Sequence, residues 1–203
     1  SACTPPLMES WLVGGAATTG ATDLVVLANP GAVAALVDLT VYGVAGGAVP
    51  PAGRGIVVPP GAQRVVPLAA LGLGEKSPVV RVTATGAPVQ ASLQASITRT
   101  LVAGGVEQVG VAAVPGTAQV VPAFSVTRAP GAPGASDVGT MVRLLSPSAD
   151  ATATVTITPV GSGVPALEPQ TVPLTAGAPL EVELGGLQVG AYTARVESTA
   201  PVV

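Results

Sequence analysis

The stretch VQASLQASI, residues 89–97, alternates apolar and polar side chains without an exception. A period of two places the apolar side chains on one face of a β-strand and the polar ones on the other. The stretch VRVTAT, residues 80–85, alternates in the same way, and Gly86-Ala87-Pro88 separates the two. Glycine supports the backbone angles of a tight turn and proline suits the start of a strand, so a β-hairpin is predicted here.

The same alternation recurs in VDLTV, residues 37–41, and in TVTIT, residues 154–158. No stretch carries a sustained 3.6-residue apolar stripe, and residues 68–73 could form one helical turn at most. The chain is therefore predicted to be all-β. The residues expected to be buried are Trp11, Leu27, Val37, Leu39, Val41, Val80, Val82, Leu93 and Ile97. The residues expected outside the apolar core are Asp38, Thr40, Gln90, Ser92, Gln94 and Ser96.

Two parts of the chain resemble each other, which indicates an internal repeat. LVVLANP (24–30) matches MVRLLSP (141–147), and ALVDLT (35–40) matches ATVTIT (153–158) after a one-residue slip in the loop. Shorter matches follow in the same order: Leu68, Leu71 and Gly74 with Leu184, Leu187 and Gly190; Arg81-Val82 with Arg195-Val196; Ala87-Pro88-Val89 with Ala200-Pro201-Val202. We interpret the chain as two tandem copies of one domain.

Each copy has the length and the spacing of short strands that are typical of an immunoglobulin-like β-sandwich. We predict two such domains in tandem, residues 1–113 and 114–203. The join is expected within residues 104–116, which makes the Pro- and Gly-rich residues 128–136 an insertion between the first two strands of the second copy. The alternative, that residues 128–136 are the interdomain linker, stays open.

The second copy is predicted to lack most of its last strand. In the first copy Ala87-Pro88-Val89 leads into the long alternating strand, whereas Ala200-Pro201-Val202 leads only to Val203. Such a copy would leave residues 191–198 as an unpaired edge beside an open core groove. Either the chain is a fragment of a longer protein, which we favour, or a partner supplies a strand there.

The composition excludes several classes of function. The 203 residues include no His and one Cys, so histidine-based catalysis, a histidine zinc site and an internal disulfide are excluded. Eight scattered basic residues, one Trp, one Phe and two Tyr cannot form a nucleic-acid surface that combines cations with stacking aromatics. No run approaches the roughly 18 apolar residues that a membrane span needs. We expect no nucleic-acid partner and no membrane span.

Few side chains are candidates for chemistry. Glu181 and Glu183 share a strand face and could form a carboxylate pair for glycoside hydrolysis, but a solvated strand face is the favoured interpretation. Trp11 could stack on a sugar, although core packing is favoured. Lys76 lies next to Ser77 in an exposed loop, and adjacency in sequence gives the wrong geometry for a Ser-Lys pair.

The remaining candidates are also interpreted structurally. The Thr row of residues 154–158 could be a flat ligand-binding ladder, and an exposed face of high β-propensity is favoured. Asp23, Asp137 and Asp150 flank strand ends, where calcium can bind, but they lack clustered spacing and are expected to cap turns. Cys3 is expected to be a free thiol or to form an intermolecular disulfide rather than to carry a lipid. We predict no catalytic, cofactor-binding or metal-binding residue.

Five motifs carry a family resemblance: WLVGG (11–15), LANPG (27–31), VYG (41–43), VPPG (58–61) and VTATG (82–86). They resemble an uncharacterised family of large secreted extracellular proteins of actinobacteria, closely over the first copy and more loosely over the second. The resemblance implies secretion, sandwich domains and a cell-envelope setting, and the genes of such proteins often neighbour one for a membrane glycosyltransferase, which implies a role with envelope glycopolymers. The motifs are turns and strand ends, so the resemblance implies no site residue.

Three functions fit these observations. The first is a non-catalytic structural or protein-interaction module of the bacterial cell envelope or extracellular space. The second is a carbohydrate- or glycopolymer-binding module associated with envelope glycan assembly, which would use the polar Gln/Ser and Thr faces. The third and weakest is a hydrolase that uses acidic residues. The expected partner is an envelope protein or a membrane glycosyltransferase, reached by β-strand pairing or through the sandwich faces.

Overall fold

The structure, a computed structural model, describes residues 4–72, 74–99, 102–128 and 139–203, and for residues 97–99 and 102–104 the backbone alone. As the alternating patterns predict, these residues form an all-β structure, with one helical turn, α1 (Leu68–Leu71), and one 3-10 turn (Pro51–Gly53). The chain divides into two compact units, Ser1–Val114 with Gly177–Pro179, and Pro115–Ala176 with Leu180–Val203.

The described residues of the first unit form nine strands in two antiparallel sheets. The strands are β1 (Glu9–Val13), β2 (Leu24–Ala28), β3 (Ala35–Gly43), β4 (Gly46–Ala48), β5 (Ile56–Val58), β6 (Gln63–Pro67), β7 (Val79–Thr85), β8 (Gln90–Arg99) and β9 (Val102–Val109). One sheet has the order β1-β7-β3-β4, with β5 also paired to β3, and the other has the order β6-β2-β8-β9.

The described residues of the second unit form six strands. They are β10 (Gly116–Val126), β11 (Met141–Leu144), β12 (Ala151–Pro159), β13 (Gln170–Leu174), β14 (Leu180–Glu183) and β15 (Gly190–Val202). One sheet has the order β10-β15-β12-β13, and β11 and β14 form a two-stranded sheet. Each unit has its own apolar core, to which both of its sheets contribute.

The face that each predicted strand buries is confirmed. Of the residues expected to be buried, eight are at most 8% exposed: Trp11, Leu27, Val37, Leu39, Val41, Val80, Val82 and Leu93. The side chain of Ile97 lies outside the described side chains. The polar residues that alternate with them are half-buried, and none belongs to the core: Asp38, Thr40, Gln90, Ser92, Gln94 and Ser96. The period of two therefore assigned the faces correctly.

Trp11 is buried, as predicted, but it does not belong to the apolar cluster that both sheets of the first unit share. Its neighbour Leu12 belongs to the core, and side chains alternate along a strand, so Trp11 lies on the other face of its sheet. There its ring lies 5.6 Å from the ring of Tyr42 and 5.5 Å from the guanidinium of Arg81, centre to centre. The indole therefore packs against an aromatic ring and a cation on that face.

The predicted β-hairpin is also wrong. β7 pairs with β1 and β3, whereas β8 pairs with β2 and β9, so the two strands belong to different sheets. The connection through Gly86 crosses from one sheet to the other. Gly86 has a φ of +85°, and a Cβ there would lie 2.8 Å from the Ala34 carbonyl oxygen. A glycine between two alternating stretches indicates that the chain reverses direction. It does not distinguish a hairpin within one sheet from a connection between two sheets.

The two units share one pairing scheme. In the first unit the order of paired strands across one sheet is β1-β7-β3-β5, and in the second unit it is β10-β15-β12-β13. The pair β2-β6 of the first unit corresponds to the pair β11-β14 of the second. The register corrects one repeat match by two residues. Val82 lies opposite Leu39, and its counterpart Val196 lies opposite Val155 rather than Ile157, which the sequence match had assigned to Leu39. The shift is even, so every side chain stays on its predicted face.

The predicted unpaired edge at residues 191–198 is wrong, because these residues lie in the middle of a sheet. β15 pairs with β10 on one side and with β12 on the other. In the first unit β8 pairs with β2, and β2 corresponds to β11 of the second unit. The first residue pair of an equivalent strand is present beside β11. Leu145 and Val203 exchange two backbone hydrogen bonds of 2.9 and 3.0 Å, as Ala28 pairs with Gln90 in the first unit.

The domain boundary between residues 113 and 114 stays a prediction, because two compact units do not establish that each folds independently. The region expected to hold the join contains the end of β9, which pairs with β8. The stretch 128–136 lies outside the described residues except for Arg128, so its role as insertion or linker also stays a prediction.

Candidate functional site

A groove of about 570 Å³ lies on the first unit, over the outer face of the β6-β2-β8-β9 sheet. Its floor comes from β2, through Val26 and Ala28, and from β8, through Gln90 and Ser92. Val25, Leu27 and Leu93 on the same two strands face the core. The alternation that fills the core therefore also places these polar side chains on the groove.

The order of the strands produces the depression. Ala28 lies opposite Gln63 on β6 and opposite Gln90 on β8, so three strands contribute one row across the sheet. Neighbouring strands lie about 4.8 Å apart, which separates the two glutamine backbones by roughly 10 Å. The short methyl side chain of Ala28 lies between the long carboxamide side chains of Gln63 and Gln90, and the difference in length creates the trough. The next row, formed by Val26 and Ser92, continues it.

Hydrogen bonds hold the polar side chains around the trough. Gln90 donates from Nε2 to the carbonyl oxygen of Thr4 at 2.7 Å. This bond fixes the segment before β1, which also pairs through Leu7 with Val89. On the other side, Gln108 of β9 donates from Nε2 to Oγ of Ser92 at 3.4 Å. The groove is thus formed before any ligand binds.

The groove lining is neutral. Besides the side chains already named, Thr4, Ala91, Gly110 and Val111 line it, and none of the lining residues that the structure describes is charged or aromatic. Carboxamides and hydroxyl groups supply both donors and acceptors, and the valine and alanine side chains supply apolar contact. Such a site can bind an uncharged, hydroxyl- or amide-rich ligand.

Trp11 was considered as a possible platform for stacking a sugar. It lies on the β1-β7-β3-β4 sheet, away from the groove sheet, and contacts neighbouring side chains there. Its Nε1 donates to Glu9 at 3.0 Å, and Arg81 forms an ion pair with the same carboxylate at 2.6 Å. The bond from Arg81 lowers the pKa of Glu9 more than desolvation raises it, and the same bond raises the pKa of Arg81. With only 3% of its surface exposed, Trp11 cannot present a ring face to a ligand.

The acidic pair of β14 does not resemble two opposed carboxylates. Glu181 lies opposite Arg143 on β11 and forms an ion pair with it at 2.7 Å. Glu183 lies opposite Met141 and is exposed. One carboxylate is thus engaged by a cation and the other faces solvent.

Two of the three aspartates accept hydrogen bonds from backbone N–H groups. The carboxylate of buried Asp23 accepts from the N–H groups of Ala16 at 2.6 Å and Ser96 at 2.8 Å. Asp150 accepts from the N–H of Ala176 at 2.8 Å. Asp137 and Cys3 lie outside the described residues. Within the described ranges no three His, Cys, Asp or Glu side chains come together in a way that could hold a metal ion.

The remaining candidates lie apart from the groove. The Thr row of β12 is half-buried on a sheet face, where Thr154 and Thr171 join their hydroxyls at 3.1 Å. Lys76 is exposed in the loop before β7, next to half-buried Ser77. The helices that the described residues form include none that is long and apolar enough to cross a membrane.

Sequence reasoning found the central part of the groove and missed its sides. The Gln/Ser face of residues 90–96 was singled out as a polar face that could bind a ligand. Gln63 and Gln108 were not, because they come from strands that are distant in sequence and meet β2 and β8 only in the sheet. The available signal was the small Ala28 on the outward face of an otherwise bulky strand.

The family of the chain follows from comparison with known proteins. No curated protein and no solved structure matches it. One family model does, and its match extends over residues 1–203. The chain therefore belongs to the family of unknown function DUF5719.

Proposed function

We propose that the chain is a non-catalytic structural or protein-interaction module of the bacterial cell envelope or extracellular space. It would consist of tandem immunoglobulin-like β-sandwiches and would be secreted by an actinobacterium. Its partner would be an envelope protein or a membrane glycosyltransferase. The shared pairing scheme of the two units supports the tandem arrangement, and a rigid β scaffold with a preformed surface groove is suited to holding a partner.

The observation that carries this proposal is the neutral lining of the groove. Catalysis of acyl, glycosyl or phosphoryl transfer requires a nucleophile, an acid or base, or a charged stabilising group at the site. The groove presents carboxamides, hydroxyls and aliphatic groups instead. Of the two carboxylates considered for catalysis, Glu181 forms an ion pair with Arg143 and Glu183 is exposed, and neither is among the described lining residues of the groove.

A second candidate function is supported by the same groove. A carbohydrate- or glycopolymer-binding module of envelope glycan assembly would use neutral side chains that both donate and accept hydrogen bonds. Gln63, Gln90, Ser92 and Gln108 provide these around one trough.

The test uses isolated actinobacterial cell envelopes, with and without protease treatment. We expect saturable binding of the purified chain and no release of reducing sugar. Loss of binding after protease supports a protein partner, and binding that persists supports the glycan candidate. Sugar release that is abolished in Glu181→Gln would contradict the non-catalytic proposal, and the absence of saturable binding would contradict an interaction role.

A further inference from the structure

We infer that the groove on the first unit binds a single unbranched, uncharged glycan chain that lies along β2 between β6 and β8. The inference rests on the second candidate function and adds the site, the residues and the ligand class. The volume of the groove, about 570 Å³, falls in the range of roughly 300–1,000 Å³ that is usual for small-ligand sites.

The chemistry of the lining selects the ligand class. An anionic ligand would need a cation and a cationic ligand a carboxylate, and none of the ten lining residues supplies either. A charged ligand would lose its hydration without gaining an ion pair. Sugar hydroxyls both donate and accept, as carboxamides and serine do, so they can pair with Gln63, Gln90 and Ser92 without leaving a group unpaired.

The geometry favours a chain over a compact sugar. Gln63 and Gln90 face each other across Ala28, about 10 Å apart. The next row along the strands places Ser92 beside Val26, about 7 Å further on. The trough therefore continues along β2 over at least two rows, with Ala28 and Val26 as its apolar positions and Gln63, Gln90 and Ser92 as polar positions beside them. A pyranose ring matches this pattern, because its hydroxyls point outward around an apolar ring face.

An extended peptide fits the groove less well. Peptides that bind a sheet usually add a strand to an exposed edge, where backbone groups are available for pairing. β2 is paired on both sides, with β6 and with β8, so its backbone offers no such edge. A peptide on this face would leave most of its own N–H and C=O groups without partners.

The affinity should be low. The described lining residues include no aromatic side chain on which a ring could stack, so binding depends on neutral hydrogen bonds that replace bonds to water. We expect a dissociation constant on the order of 1 mM for a short oligosaccharide.

The test is a nuclear magnetic resonance titration of the full chain, followed through the side-chain amide signals of Gln63, Gln90 and Gln108. The probes are neutral cello-, malto- and mannohexaose. The comparators are oligogalacturonate, chitosan oligomers and an uncharged Gly/Ser hexapeptide. We expect at least one neutral hexasaccharide to shift these signals and the charged oligomers to leave them unchanged.

Two variants locate the effect. Ala28→Leu fills the trough from its floor and should abolish the shifts, whereas Ala191→Leu, at an exposed strand position of the second unit, should leave them unchanged. If Ala28→Leu does not fold, the double variant Gln63→Ala/Gln108→Ala replaces it, and its affinity should fall about tenfold or more.

Four results would overturn the inference: no shift with any neutral hexasaccharide, equal shifts with charged oligomers, shifts with the peptide instead, or shifts that survive both groove variants. Any of them together with retained binding to isolated envelopes would leave the proposed interaction function standing. Loss of envelope binding together with intact hexasaccharide binding would contradict the envelope role alone.

Discussion

At the scale of single residues, two buried polar side chains hold equivalent loops of the two units. Asn29 follows β2 and donates from Nδ2 to the carbonyls of Val33 at 2.7 Å and Val58 at 2.9 Å. Its repeat counterpart Ser146 follows β11 and donates its hydroxyl to the loop carbonyl of Ala149 at 2.5 Å. Loops that leave a buried strand need partners for their backbone groups, and a short polar side chain at this position provides them.

Replacing Asn29 by Ala should lower the free energy of unfolding by about 2 to 4 kcal/mol, because buried carbonyl groups lose their donors. Chemical denaturation measures the change. The control is Gln63→Ala, at an exposed position, which should stay within about 0.5 kcal/mol of the original chain. Equal effects of the two substitutions would show that the loop does not depend on Asn29.

Ser10 is also a buried polar residue, but unlike Asn29 its side chain holds no loop in place within the described part of the chain. It is 2% exposed, and its hydroxyl has no hydrogen-bond partner among the residues that the structure describes. Ser10→Ala removes a buried group without leaving another one unpaired, so stability should stay unchanged or rise by up to about 1 kcal/mol. A thermal unfolding curve decides this. A loss of more than about 1 kcal/mol would mean that the hydroxyl has a partner in solution.

The ion pair of Glu9 and Arg81 predicts a pH dependence. The pKa of Glu9 is lower in the folded chain than its usual value of 4.5, so folding is favoured above that value and the contribution is lost as the pH falls through the folded pKa. With 44% of the Glu9 side chain exposed, the contribution is small. Between about pH 5 and pH 3, Glu9→Gln should lose less stability than the original chain. Identical pH profiles would contradict the prediction.

At the scale of elements, the outer strand β10 is protected against further pairing. It contains Pro122, which cannot donate a hydrogen bond, and its register with β15 shifts between Val121 and Phe124. At this irregularity Ala123 adopts a positive φ of 53°, which is unusual for a residue with a side chain. Proline and bulges are common devices that prevent one sheet edge from pairing with another.

The pair between Leu145 and Val203 should stabilise the strands around it. Deleting residues 202–203 removes both backbone hydrogen bonds and the buried side chain of Val202. We expect the Leu145 amide to exchange with solvent much faster in the shortened chain, as measured by hydrogen exchange. Val203→Ala is the matched control, because it keeps the backbone bonds. Unchanged protection of Leu145 after the deletion would show that the pair is dispensable.

The strands and their faces could be predicted from the sequence, whereas their neighbours could not. Alternation determines that Leu39 and Leu93 point inward, because the period of two depends only on local sequence. It does not specify which strand lies alongside, so β7 and β8 were wrongly joined and the partners of residues 191–198 were missed. The groove shows the same limit: Gln90 and Ser92 were identified as a polar face, but Gln63 and Gln108 reach it through the sheet order.

At the scale of the whole molecule, the two apolar cores predict the unfolding behaviour. Leu39→Ala should cost about 2 to 5 kcal/mol, because it leaves a cavity among small side chains that cannot fill it. Leu36 lies on the same strand and is 47% exposed, so Leu36→Ala should cost less than about 1 kcal/mol. A loss below about 0.5 kcal/mol for Leu39→Ala would contradict the assigned face.

The same measurement tests the predicted tandem domains. If the units fold independently, Leu39→Ala shifts one denaturation step and Ile157→Ala, in the second core, shifts the other. A single step that both substitutions move would contradict two independent domains and would make the chain one cooperative unit.

The register shift between the two copies has a consequence for how such chains can change. Within a strand, inserting or deleting one residue exchanges the inner and outer faces for every residue that follows, whereas a change of two residues exchanges none. Leu39 and Ile157 match by sequence pattern, but Leu39 and Val155 match by position in the sheet. Insertions or deletions of an even number of residues within a strand therefore keep the same side chains in the core. Those of an odd number must be compensated in a loop.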